Sequence, residues 1–127
     1  MTRVGCLALV VLLAVSCGAQ RLKLAKLAPT QACLRAAGVR TDQNLGADFI
    51  AGTSTGGAFR AHLGKNFVTV VFSDSVELAD GINDAYHRFR AQNVGIEDVL
   101  RQQGNVVMLW HQHPSDPDQS KIMDCLK

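Results

Sequence analysis

The sequence predicts a small α+β domain, an antiparallel sheet of about four strands packed by helices, in the order α-β-β-β-α-β-α. Three patterns carry that expectation. "AFRAHL", residues 58–63, alternates apolar and polar side chains, and "FVTVVF", residues 67–72, is β-branched and aromatic, so the two read as a half-wet strand and a buried one. Ala79, Ile82, Ala85, Tyr86 and Phe89 recur at helical spacing and form one apolar stripe. "NVVMLWHQ", residues 105–112, is apolar on both faces, as an internal strand is. With 127 residues, 47% apolar and 19% charged, the chain has room for one globular domain and no second.

Residues 1–19 read as an export signal. Arg3 precedes an uninterrupted apolar run from Cys6 to Val15, too short for a permanent membrane helix and followed by small residues. "LAVSC", Leu13 to Cys17, resembles the lipobox of bacterial lipoproteins, which implies cleavage before Cys17, a lipid on that cysteine and a membrane anchor outside the cytoplasm. Cleavage after Ala19 by ordinary signal peptidase, giving a freely secreted protein, is the alternative. Residues 20–28 read as a basic tether: from Gln20 to Arg40 there are basic residues and no acidic ones, whereas Thr41 to Lys127 is net negative. Lysines in such a tether can sit by anionic headgroups or simply in water. Nucleic acid is disfavoured as a partner, because the basic residues do not cluster on the folded part and aromatic residues are few.

The domain proper is expected over residues 29–127. "APTQACLRAAGV" suits a short helix started by Pro29 and Thr30 and ended by Gly38, with Cys33 and Leu34 inward. "VRTDQNLGA" reads as loop. "DFIAG" reads as a first strand, turned by "TSTGG" into residues 58–63, and Gly64, Lys65 and Asn66 form a hairpin loop before the next strand. Asp74 with Glu77 resembles a capping box for the striped helix, which places Tyr86 and Phe89 inward and His87, Arg88 and Arg90 in solvent; Asn93 or Gly95 can close it. "IEDVLRQQ" reads as a short helical turn ending at Gly104. The last helix follows Trp110: Ser115 caps it, Pro117 sits in its first turn, and Ile122, Met123 and Leu126 form its buried side.

Either cleavage leaves Cys33 and Cys125 as the domain's cysteines, so an exported chain most simply carries one disulfide between them. Two cysteines alone make a poor metal site.

"DFIAGTSTGGAF" resembles the nucleophile elbow of patatin-like phospholipases, which implies Ser54 as nucleophile with an aspartate partner. Three requirements of that family are unmet around it. The segment after Ser54 alternates like a strand where the family has a helix. The glycine-rich oxyanion loop is reduced to Gly38 and Arg40. The D-G pair that holds the aspartate survives only as Asp80 and Gly81, inside a helical pattern. Turn chemistry accounts for the same glycines and serines. His111 and His113, two apart at a strand end, would share a face and could hold a metal if a third ligand joined them; surface histidines past a buried strand are the plainer reading. No cofactor is implied. The whole pattern is similar to small exported proteins of actinobacteria, a resemblance that carries no activity. The expectation is a noncatalytic exported domain that binds an envelope component or a protein, with an acyl hydrolase using Ser54 and Asp80, or a metal protein using His111 and His113, as rivals.

Overall fold

The computed structural model describes residues 23–90 and 95–127, so the export signal, the cleavage sites and Cys17 lie outside the described residues, as does Asn93. Its elements are α1 (Leu27–Ala36), β1 (Arg40–Asp42), α2 (Phe49–Gly52), β2 (Ala58–Leu63), β3 (Asn66–Phe72), α3 (Val76–Arg90), α4 (Ile96–Val99), β4 (Leu100–Gln103), β5 (Val106–Trp110) and α5 (Asp116–Asp124). The class is α+β, as expected, with an antiparallel sheet of five strands in the order β1-β2-β3-β5-β4.

Register sorts the sheet's side chains. One face carries Phe59, Ala61, Val68, Val70, Phe72, Val106, Met108 and Trp110; the other carries Ala58, Arg60, His62, Phe67, Thr69, Val71, Val107 and Leu109. Val68 to Phe72 and Val106 to Trp110 are all buried, so helices cover both faces. Thr41 lies on the first face and accepts from Gln31 and Arg35 of α1, while Arg101 of β4 donates to Gln119 of α5. On the second face Gln102 donates to Asp80 of α3, and Tyr86 of α3 reaches back to Asp48 at the head of α2. Hence α1 and α5 form one layer, and α2, α3 and α4 the other.

Both tight hairpins share a solution. Leu63 pairs with Asn66 and Gln103 with Val106, leaving two-residue turns headed by Gly64 at φ +62 and Gly104 at φ +57. A left-handed first residue matches the twist of the flanking strands, and glycine adopts it without a Cβ clash. The first hairpin is thus one residue tighter than expected.

Five local readings are corrected. "DFIAG" is helical: the Asp48 carboxylate accepts from Ala51 N at 3.0 Å, and that cap prevails over the extended reading. Arg40–Asp42, expected as loop, is an edge strand on β2. "LRQQ" is the strand β4, entered straight from α4, with Leu100 opposite Leu109. Phe89 is 60% exposed, at the rim of the helix stripe. The cap of α3 also differs: Ser75 Oγ accepts from Leu78 N, a position later than the Asp74 cap expected.

At the other end the expectations hold. Ser115 Oγ accepts from Asp118 N, proline sits in the first turn of α5, and Ile122 is fully buried while Met123 and Leu126 are half-buried. Cys33 and Cys125 are joined by a disulfide across a separation of 92 residues, with Cα atoms 5.5 Å apart. Lys26 N donates to Lys127 O, and Asn105 bonds both the N–H and the C=O of Ala25, so the basic segment from Ala25 onward is docked on the sheet's end.

Candidate functional site

The "GTSTGG" stretch links α2 to β2, so Ser54 follows a helix and precedes a strand, the reverse of a nucleophile elbow. Its Oγ is buried and makes no hydrogen bond with a described residue. Asp80 stands on α3, with its carboxylate accepting from Gln102, so the structure does not join the two. Packing explains Gly56, and a left-handed φ of +83 explains Gly57. Gly56 N donates to Phe72 O at 2.9 Å, and a Cβ on Gly56 would lie 2.8 Å from the Phe72 backbone carbonyl.

His111 and His113 part company. His113 Nδ1 meets Asp98 at 2.6 Å in the open, whereas the His111 ring stacks on Phe67, with centroids 4.5 Å apart and planes 12° from parallel. Among the described residues no three His, Cys, Asp or Glu side chains group closely enough to hold a metal ion.

The stack of His111 on Phe67 belongs to a larger arrangement that sequence reasoning missed. At one end of the second sheet face, His62, Phe67 and His111 follow one another across β2, β3 and the residue just past β5. One step inward on β2, the Arg60 guanidinium lies 4.4 Å above the Phe67 ring, within cation–π range, and its Nη2 donates to Leu45 O at 3.1 Å. Arg60 Nε is buried and donates to no described residue. Behind this row opens a cavity of about 260 Å³, lined by Arg60, Phe67, Thr69 and His111 from the sheet side and by Asp48 and Val99 from the helices, with Ile96 and Leu109 completing the apolar wall.

Asp48 is 6% exposed and accepts from Ala51 N at 3.0 Å and from Tyr86 Oη at 2.8 Å, which fixes α2 and α3 as one wall. Beside the row, the Asp42 carboxylate holds His62 Nε2 at 2.7 Å. Burial pushes the Asp42 carboxyl up, but the hydrogen bonds from His62 and Asn44 and the charges of His62 and Arg40 outweigh it and hold the group below its ordinary range. On the far side His87 donates through Nδ1 to Asn83 O and through Nε2 to Glu97, and these two acceptors raise its pKa against the opposing effect of burial.

The signals for this site were present but dispersed. Arg60 and His62 are the wet positions of an alternating strand, and only pairing with β3 shows that their face is covered. No family model matches the chain, and no curated protein or solved structure is similar enough to count as a match.

Proposed function

We propose that this chain is an exported, noncatalytic binding domain, and that the cavity behind Arg60 receives a small amphipathic ligand with a carboxylate or similar acceptor group. The observation that carries the reading is Arg60 Nε, a buried donor without an acceptor in a residue that lines a cavity. Leaving a buried donor unmet costs about 1–3 kcal/mol. An acceptor that enters the cavity and displaces the atoms covering Nε would remove that cost, while Ile96, Val99 and Leu109 would take the apolar body. The stacked Arg60, Phe67 and His111 hold the donor's position before a ligand arrives, which lowers the ordering cost of binding.

Export rests on the leader, and lipidation at Cys17 would fix the domain to the membrane, where an envelope molecule or protein is the natural source of ligand. The acyl-hydrolase reading has less support, because a helix-then-strand order supplies neither a raised serine nor a following helix N-terminus as oxyanion cradle.

Amide NMR titration tests the site with hexanoate and benzoate as probes and hexanol and benzyl alcohol as their uncharged controls. The carboxylates are expected to shift Thr69, Val99 and Leu109, and Arg60→Met should weaken them by roughly ten- to a hundredfold, the loss of a charge-assisted bond. Equal response to acids and alcohols, or unchanged affinity in Arg60→Met, would contradict the proposal. Arg60→Lys, which keeps the charge, controls for folding.

A further inference from the structure

The outward side of α3 bears an apolar seam. Leu78 is 47% exposed and Phe89 60%, while Ile82 and Ala85 between them are half-buried. These four recur at helical spacing, so they line one edge of the helix. Phe49 of α2 extends the strip, 65% exposed and edge-on to Phe89 at 5.9 Å between centroids. Beside the strip lies Gly81, exposed and with nothing within 4 Å of where a Cβ would stand. A small residue at that place lets another backbone approach closely.

Charge along this side is polar in the directional sense. Glu77 flanks the seam near its start and Arg88 near its end, both exposed, with Asp84 between. Eleven residues separate Glu77 from Arg88, about 16 Å along the axis at 1.5 Å per residue. Leu78 and Phe89 are separated by the same interval. A helix so marked is complementary to itself run backwards: a twofold axis near the middle of α3 sets Glu77 of one copy beside Arg88 of the other, twice, and Leu78 against Phe89, twice.

We propose that α3 is the contact of a symmetric, antiparallel homodimer, with a second copy of this chain as its occupant. Parallel pairing would oppose like charges at both ends, whereas the antiparallel pair matches Glu77 with Arg88 twice and leaves one like-charge approach, between the two copies of Asp84 near the axis, so an isologous contact is the better match. The contact is small and centred on one helix, so the dimer is a weak one that forms at high local concentration. Attachment of both copies to one membrane would supply such concentration. The seam does not include the cavity's lining residues.

Two measurements on the protein as recovered from an exporting host test this. Isotope-filtered NMR on a mixture of labelled and unlabelled protein should give contacts between the Leu78 methyls of one copy and the Phe89 ring of the other, which the 16 Å spacing forbids within a helix. Sedimentation equilibrium should then show Glu77→Arg or Arg88→Glu weakening the dimer roughly three- to tenfold, as expected for two exposed ion pairs turned repulsive, and the double reversal restoring it. A monomer at millimolar protein, or a dimer indifferent to both single reversals, overturns the proposal; so does association that lacks the Leu78 to Phe89 contact, which would assign the seam to another occupant.

Discussion

Ser54 and Gly56 sit two residues apart and respond to opposite physics. A buried hydroxyl without a partner is a cost to the fold, so Ser54→Ala should leave stability unchanged or raise it by about 1 kcal/mol. Gly56→Ala should instead lose about 1–3 kcal/mol, because its new Cβ meets a backbone carbonyl that cannot rotate away. Urea midpoints of the two variants decide it; a fall in Ser54→Ala or none in Gly56→Ala contradicts the packing account. His87 makes a second prediction at this scale. Its folded pKa is raised, so its contribution is complete below the unfolded value near 6.5 and is lost as pH rises through the higher folded value. An NMR titration should find His87 above the ordinary histidine value, and Glu97→Gln should lower it. Asp42 has the opposite sign: its contribution is present above the unfolded carboxyl range and is lost as pH falls through its depressed value.

At the level of elements, what could be read in the sequence depended on length and on how much each segment repeats its own pattern. β2 and α3 run long enough to show a period, and β3 and β5 long enough to show a buried apolar run, and the sequence placed all four. β1 and β4 are edge strands of three and four residues, with polar side chains where water replaces a neighbour, so neither alternation nor apolar runs mark them. α2 is a single turn whose signal is one capping carboxylate; the same Asp48 is bonded by Tyr86, a contact across 38 residues that no local pattern contains. Phe89 obeys the helical period and yet faces out, since periodicity gives a stripe's direction but not where the covering layer stops. The candidate site was the least legible part. Its row of His62, Phe67 and His111 is assembled by register across three chain segments, and Arg60 reads as an ordinary solvent-facing residue until β3 places Phe67 beneath it.

For the molecule as a whole, the ends of the described chain are drawn together. The disulfide links α1 to the end of α5, and Lys26, Thr30 and Lys127 add backbone and hydroxyl bonds beside it. Closing a loop of that length stabilises a fold by about 4–5 kcal/mol in the chain-entropy description, a large part of the 5–15 kcal/mol available to a small domain. Cys33→Ala with Cys125→Ala, or the reduced protein, should therefore unfold at a much lower denaturant concentration than the oxidised one; equal midpoints would show that the end contacts suffice alone. On the opposite face of the sheet Arg60 is held by contacts of its own, the Phe67 ring beneath it and Leu45 O, and in the proposed binding reading these keep its unmet donor in place for a ligand. The most direct measurement of that claim is the Arg60 Nε–H resonance itself during titration with hexanoate or benzoate. A new hydrogen bond predicts a downfield proton shift and slower exchange with water as the probe saturates; an Nε–H that stays where it was while the probe binds elsewhere contradicts the account.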